Sequence, residues 1–336
     1  MKSNIVSTIK YIAFLAVGIG LLWLAFRNEN LAEVWDKIKV ADPFWLALSV
    51  VIALFAFLSR AVRWIMLMEP LGFKPRLSTT LYALFLGYFA NLAIPRIGEI
   101  TRCGSLANTD KVPFNSLIGT VIVERVIDLI MLFVVLFLVA LLEYDMLADF
   151  LQDKVIGPMA EKLPDGTNAG LWLAVAAMAV AMAAAFLLYR KLTHDPKSKL
   201  AVKIKGITHE IASGFKTILR MKKNGWFLFH TIFIWLMYFL MTWVCFFCLD
   251  STAHLDMKAG LFILVVGGLG MSAPVQGGIG AYHYIVSQGL QLFGITSTDG
   301  IAYATLVHTT QTLLVVVLGI FALVMLFLLK NKKTTS

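Results

Sequence analysis

Long apolar runs alternate with short polar segments along almost the whole chain. A bilayer has a hydrocarbon core of about 30 Å, so a helix needs roughly 20 apolar residues to cross it. Runs of that length predict six full transmembrane helices, at about residues 5–27, 43–68, 115–142, 170–189, 226–249 and 301–329. Two further apolar stretches, at 78–113 and 257–294, are interrupted and need a different interpretation.

Helix-breaking residues interrupt both of these stretches. They are Pro95 and Gly98 in the first, and Pro274, Gly277, Gly278 and Gly280 in the second. Irregular backbone at membrane depth is tolerated only where protein or a water-filled cavity satisfies its polar groups. We therefore interpret both stretches as re-entrant helical hairpins, each broken at its tip. A tight turn is favoured over a phosphate-binding loop at 277–280, because the glycine spacing matches neither nucleotide-binding motif.

The charges of the loops predict the topology. Residues 143–169 are mostly acidic, whereas 190–225 are strongly basic, with apolar positions at helical spacing. Basic loops stay in the cytoplasm, so the basic segment is expected there as an amphipathic helix, with both termini on the same side. Every loop takes its preferred side only if 78–113 enters from the cytoplasm and 257–294 from outside.

The expected fold is therefore an all-α polytopic membrane protein of the inner, cytoplasmic membrane, formed by one domain over residues 1–336. It has six full spans and two oppositely oriented re-entrant hairpins, or about eight spans if the hairpins are counted. Paired broken segments of opposite orientation are typical of inverted-repeat transporters, whose binding site lies between the repeats.

Composition agrees with this class and excludes others. The chain is 59% apolar and only 15% charged, which a soluble domain could not accommodate. Its net charge of +9 comes from short basic segments between apolar runs, without a nucleic-acid-binding motif, so no nucleic-acid partner is expected. The Cys245–Cys248 pair lies in an apolar run, which favours core residues over a metal or redox site. We expect no metal and no cofactor.

Charged residues concentrate around the first break and in the following span. They are Arg96, Glu99, Arg102, Glu124, Arg125 and Asp128. Ionisable groups at membrane depth are costly and usually serve a function, so we predict a substrate-binding site. The arginines could hold a phosphate in bidentate fashion, while the carboxylates pair with them and respond to a cationic group. The alternative is a structural ion-pair network that joins the hairpin to the next span.

Other polar residues are candidates for the lining of the same cavity. They are Arg60, Arg63, Asn91, Gln276, His283, His308 and Gln311. The two arginines near the end of the 43–68 span could instead extend to the membrane interface. Each histidine could instead be a hydrogen-bonded packing residue rather than a proton relay.

Three motifs in order resemble a known family. They are Asn91-x-x-x-Pro95-Arg96-x-Gly98-Glu99-x-x-Arg102, Glu124-Arg125-x-x-Asp128, and Pro274-x-x-Gly277-Gly278-x-Gly280. Together they resemble the lysylphosphatidylglycerol synthase transmembrane region, a flippase-like membrane domain, over about residues 8–329. The family often has an acidic residue after Gly280, whereas this chain continues Ala281-Tyr282-His283.

The resemblance implies lipid translocation. In the aminoacyl-phosphatidylglycerol enzymes this domain moves the modified lipid between leaflets, and a separate soluble domain synthesises it. No synthase domain follows here, so we expect a flippase-like transporter of a lipid with a polar head group, and not an enzyme. A homo-oligomer or a separate lipid-modifying enzyme stays open as a partner.

Two other functions also stay open. One is an integral-membrane enzyme acting on a lipid-linked sugar, with Glu99 or Asp128 as its base, although no catalytic motif supports it. The other is a membrane scaffold that binds a partner enzyme through residues 190–225.

Overall fold

The computed structural model describes residues 16–27, 29–142 and 223–334, with side chains up to residue 329. This part of the chain is helical and contains no β-strand. Its helices are α1 (Ala16–Phe26), α2 (Leu31–Lys39), α3 (Pro43–Met68), α4 (Leu77–Ala93), α5 (Gly98–Asp110), α6 (Phe114–Leu142), α7 (Asn224–Val244), α8 (Met257–Ser272), α9 (Ala281–Gln291) and α10 (Ser297–Thr334). The prediction of an all-α protein is confirmed.

Four helical segments are long and apolar enough to cross a membrane. Within the described residues they are Pro43–Leu71, Phe114–Leu142, Asn224–Cys248 and Ser297–Leu329. Large apolar side chains stay exposed along them: on α6, Leu129, Phe133, Phe137 and Leu141 repeat every four residues and are all more than half exposed. An apolar stripe of this kind suits contact with lipid. The chain is a multi-pass membrane protein.

The segment α4–α5, called the first hairpin below, turns back on itself at the break. The Arg76 backbone N–H, just before α4, donates to Asp110 Oδ1 at the end of α5 over 3.3 Å. Nearer the break, Gly87 of α4 packs directly against Gly98 of α5. Helix α4 ends at Ala93 and α5 begins at Gly98, so the break includes Pro95.

The segment α8–α9, called the second hairpin, has the same form. Near the break Gly270 packs against Tyr282, and near the open end the rings of Phe262 and Phe293 make an edge-on contact. The turn has a left-handed backbone at Gly277, Gly278 and Gly280, with φ between 56 and 80°. Glycine is the residue that adopts this conformation without steric cost.

The two hairpins begin at opposite ends of α3. Helix α7 runs antiparallel to α3, because Lys223 lies 3.8 Å from Glu69 while the Asp42 backbone N–H donates to the Cys248 carbonyl. The first hairpin follows the end of α3, and the second follows the end of α7, at the opposite end of the pair. Their breaks meet: a Cβ added at Gly277 would lie 3.0 Å from Leu92 Cδ2.

Helix α2 lies between the first two predicted spans, where no helix was predicted. The Asn30 side chain caps it by accepting from the Ala32 N–H. Lys37 Nζ lies 3.0 Å from Asp299 Oδ1 at the start of α10. The Asp299 carboxylate raises the pKa of Lys37 through this hydrogen bond and its charge. The signal for α2 was present in the sequence, since asparagine is a preferred N-cap.

The chain divides into two compact units, one of Met1–Leu136 with Arg220–Ser336 and one of Phe137–Leu219. All packing described above lies in the first unit. Several predictions fall outside the described residues: the start of the first span, the acidic loop at 143–169, the span at 170–189 and most of the basic segment at 190–225.

Candidate functional site

Five ionisable side chains form a buried group, called the charged cluster below. They are Arg60, Arg63, Arg102, Glu124 and Asp128, which come from α3, α5 and α6. The arginine side chains are at most 6% exposed and Glu124 is 1% exposed. Glu124 lies about 15 Å along α6 from Phe114 at the helical rise of 1.5 Å per residue, which is well inside a hydrocarbon core.

Local helical spacing presents each group of charges on one face. Arg60 and Arg63 are three residues apart on α3, and Glu124 and Asp128 are four apart on α6. Arg60 contacts both carboxylates. Arg63 Nη2 donates to Asp128 Oδ1 over 2.7 Å, and Arg102 Nη2 donates to Glu124 Oε2 over 3.0 Å. The ion pairs therefore join the first hairpin to α6, and α3 takes part in them.

Neutral and aromatic groups complete the cluster. The Arg102 guanidinium lies 4.6 Å above the Trp64 ring, in cation–π geometry. Trp64 Nε1 in turn donates to Thr120 Oγ1 over 2.9 Å, and Arg60 Nη1 donates to the Tyr238 hydroxyl over 2.7 Å. These partners were not predicted from the sequence. For Trp64 a signal existed, because it lies one helical turn after Arg60 on the same face of α3.

The remaining predicted site residues lie outside the buried cluster. Arg125 Nη2 donates to Glu99 Oε1 over 2.6 Å, with the arginine 46% exposed. Arg96 is exposed in the break, with a left-handed φ of 64°, and pairs with no carboxylate among the described residues. The six predicted residues thus divide into three in the cluster, a half-exposed pair beside it and one exposed arginine.

A cleft between α4, α5 and α6 leads to the cluster. It is lined by Leu84, Gly87, Tyr88, Asn91, Gly98, Glu99, Arg102 and Arg125. Asn91 Oδ1 accepts from the Gly98 N–H over 2.7 Å and so caps the start of α5. The cleft is narrow: the volume that the centre of a water molecule can reach within it is about 10 Å³, which is about what one buried water needs.

Several buried polar atoms of the charged cluster and the cleft have no hydrogen-bond partner among the described residues. The donors are Arg60 Nε, Arg63 Nε, Arg63 Nη1 and Arg102 Nε, and the other atoms are the Tyr88 hydroxyl and Glu99 Oε2. Buried polar groups are normally satisfied, so a concentration of unpaired ones calls for an explanation. The four donors all belong to arginines of the charged cluster, and one of these arginines, Arg102, lines the cleft, which suits an anionic ligand.

The polar residues at the break of the second hairpin and on the neighbouring helix α10 lie apart from the charged cluster. The rings of His283 and His308 lie 4.8 Å apart, and His308 Nε2 donates to the Gly277 carbonyl over 2.7 Å. Gln276 is buried in the same break. Gln311 donates to Ser49 on α3 over 3.4 Å. Of the predicted cavity-lining residues, only Arg60, Arg63 and Asn91 belong to the charged cluster or its cleft.

Comparison with known proteins identifies the family of this chain. The family described as the lysylphosphatidylglycerol synthase TM region matches residues 11–319. The chain belongs to this lysylphosphatidylglycerol synthase TM region family. The match includes the charged cluster, the cleft and both hairpins, and it confirms the resemblance inferred from the three motifs. Comparisons with curated protein sequences and with solved structures gave no match.

Membership of the lysylphosphatidylglycerol synthase TM region family relates the protein to membrane lipids. In this member the first two motifs bring their charges together at the cleft and the charged cluster, except for the exposed Arg96, whereas the third forms the break of the second hairpin. The motifs therefore mark the two places where the backbone turns back, and the charges lie beside one of them.

Proposed function

We propose that the protein moves a lipid with a polar head group between the two leaflets of the membrane. The observation that carries this proposal is the charged cluster, which holds three buried arginines and two carboxylates at membrane depth. Buried ion pairs are weak contributors to stability compared with apolar packing. Charges kept at this depth are better explained by a polar group that has to pass them.

The arrangement of the hairpins supports the same function. In transporters built from inverted repeats, broken segments of opposite orientation meet near the bilayer midplane and form the substrate site. Here the breaks meet at Leu92 and Gly277. Helix α4 has 17 residues and spans about 25 Å, and the other three helices of the hairpins are shorter. We propose that both hairpins are re-entrant, with the first entering from the cytoplasm and both termini cytoplasmic.

Transport also fits the cluster better than catalysis does. A general base must be free to accept a proton from its substrate. Asp128 contacts Arg60 and Arg63, and Glu124 contacts these two and Arg102. Both carboxylates are thus engaged by cations. We therefore propose that the protein is not an enzyme.

A leaflet-exchange assay tests the proposal. The purified protein is reconstituted in vesicles that contain a head-group-labelled phospholipid, and dithionite quenching reports how much label reaches the outer leaflet. We expect exchange with the native protein and its loss with Arg102→Gln. Arg125→Gln provides a second variant, because its half-exposed side chain can be changed with less risk to folding.

Arg76→Gln is the matched control, because Arg76 is an exposed arginine of the same hairpin and lies away from the cleft. It should exchange lipid at the native rate. Absence of exchange by the native protein over a panel of lipids would contradict the proposal. Native exchange by a folded Arg125→Gln and by Arg102→Gln would also contradict it, and would favour a scaffold.

A further inference from the structure

Among the described residues, the charges around the cleft do not balance. The charged cluster contains three guanidiniums and two carboxylates. Beside it, Glu99 and Arg125 neutralise each other. A surplus positive charge therefore remains in a place where an isolated charge is costly, and a ligand of opposite sign would remove that cost.

Both carboxylates of the charged cluster already form ion pairs with its arginines. Glu124 contacts all three buried arginines, and Asp128 contacts Arg60 and Arg63. A cationic head group would therefore find no free carboxylate in the cluster and would be repelled by guanidiniums at short range. This changes the expectation from sequence that the carboxylates respond to a cation.

The cleft instead offers donors. Arg102 is 4% exposed and lines the cleft, and its Nε–H has no acceptor in the part of the chain that the structure describes. The start of α5 at Gly98 lies in the same wall, and a helix N-terminus favours negative charge. Arg125 provides a further guanidinium on the open side. Two arginines suit a phosphate, because each planar guanidinium can donate two parallel N–H hydrogen bonds to phosphate oxygens.

Two other buried atoms in the cleft suit an uncharged polar group. The Tyr88 hydroxyl and Glu99 Oε2 have no partner among the described residues, and both residues line the cleft. A carboxylate oxygen can only accept, so its partner is a donor of the ligand. Because Arg125 already neutralises the charge of Glu99, an uncharged hydroxyl is sufficient as that donor.

We infer that the cleft binds a lipid phosphate of net negative charge, whose head group carries hydroxyls and no cationic group, between Arg102 and Arg125. This inference rests on the proposed lipid transport and specifies its substrate class. The same chemistry occurs in soluble phosphate esters, so the experiment has to separate lipid from soluble phosphate.

Binding of short-chain lipids to the purified protein in detergent, followed by calorimetry, tests the inference. The probes are dihexanoyl forms of phosphatidylglycerol, phosphatidic acid, phosphatidylcholine and the cationic ethylphosphatidylcholine, with glycerol phosphate and inorganic phosphate as soluble probes. We expect phosphatidylglycerol to bind at least about tenfold more tightly than phosphatidylcholine. A tenfold difference in affinity is about what one additional charge-assisted hydrogen bond contributes. The cationic lipid and both soluble probes should bind more weakly still.

Variants locate the site. Arg102→Gln should weaken phosphatidylglycerol binding roughly tenfold, whereas Lys39→Gln, which removes an exposed lysine paired with Asp36, should leave it unchanged. Tyr88→Phe should weaken binding of phosphatidylglycerol more than that of phosphatidic acid, which lacks head-group hydroxyls. The lipid panel with the native protein keeps the test valid if a variant fails to fold.

Equal binding of anionic, zwitterionic and cationic lipids would overturn the inference, and so would equal binding of inorganic phosphate and lipid. The proposed transport is judged separately by leaflet exchange. If the protein exchanges lipid but binds anionic and other lipids equally well, only the inferred substrate class is refuted. Selective binding of anionic lipid without exchange of any lipid refutes the transport.

Discussion

Arg102 and Glu124 join the first hairpin to α6 through an ion pair of 3.0 Å, with side chains only 4% and 1% exposed. Glu124 also contacts Arg60 and Arg63 of α3. One carboxylate therefore connects three helices. Because these arginines have few other anionic partners, the cluster depends on Glu124 more than on any single arginine.

Glu124→Gln should destabilise the protein strongly. The change leaves three buried guanidiniums with Asp128 as the cluster's remaining carboxylate, and breaking a buried pair by removing one partner costs about 3–5 kcal/mol. We expect a loss of that size in the free energy of unfolding, measured by denaturant titration in micelles. Glu69→Gln is the control: its partner Lys223 is exposed and 3.8 Å away, so the loss should stay below about 1 kcal/mol. Equal effects of the two changes would argue against an interdependent cluster.

Gly87→Ala should separate the helices of the first hairpin. A Cβ at Gly87 would lie 2.8 Å from the Gly98 carbonyl oxygen, which belongs to backbone and cannot turn away. Overpacking of this kind costs about 1–3 kcal/mol, and the cleft should lose its shape together with lipid exchange. The midpoint of thermal unfolding and the exchange rate are the measurements.

Gly104→Ala is the matched control for this change. Gly104 lies within α5, and nothing comes within 4 Å of an added Cβ. Alanine favours the helix, so this variant should gain about 0.5–1 kcal/mol. If both alanine variants behave alike, the close approach of α4 and α5 has no energetic importance.

His308→Ala should loosen the second hairpin. The His308 side chain donates to the Gly277 carbonyl in the break, and its loss leaves that carbonyl without this partner at a cost of about 1–3 kcal/mol. Hydrogen exchange of the backbone amides at 275–281 should become faster. His254→Ala, at an exposed position, should change neither stability nor exchange. Unchanged protection of 275–281 in His308→Ala would contradict a role of this hydrogen bond.

Cysteine labelling should show that the first hairpin returns to its side of entry. Lys74 precedes α4 and Asn108 lies in the last turn of α5, both exposed, and the two helices meet at Arg76 and Asp110. A membrane-impermeant maleimide should therefore label Lys74→Cys and Asn108→Cys from the same side of the membrane. The native cysteines are all buried, which keeps the background low. Labelling from opposite sides would exclude a re-entrant hairpin.

A matching experiment concerns the second hairpin. Lys258→Cys, in the first turn of α8, should react from the side opposite to Lys74→Cys. Labels at residues 143–169 and 190–225 should likewise report opposite sides, as the charges of these loops predict. If Lys258→Cys and Lys74→Cys react from the same side, the two hairpins do not enter the membrane from opposite sides.

Much of the architecture was predictable, because it depends on local properties. Run lengths indicated the long helices, and the breaks at Pro95 and Gly277 indicated the turns of both hairpins. Helix α2 was missed because its nine residues carry mixed charges and lack a long apolar run. Arg60 and Arg63 were ambiguous, since an arginine near a helix end can extend to the interface or turn inward.

The sequence by itself determined that this is an α-helical membrane protein with two broken segments and charges in apolar surroundings. Such a pattern is local, because lipid selects for apolar helices of a given length and tolerates broken backbone only in protected places. Only the tertiary structure decided which charges meet: Arg63 pairs with Asp128 across 65 positions of the chain, while Arg96, inside the first motif, lies exposed. The physical reason is that these pairs depend on the rotation and neighbours of each helix, and spacing along a single helix contains no information about either.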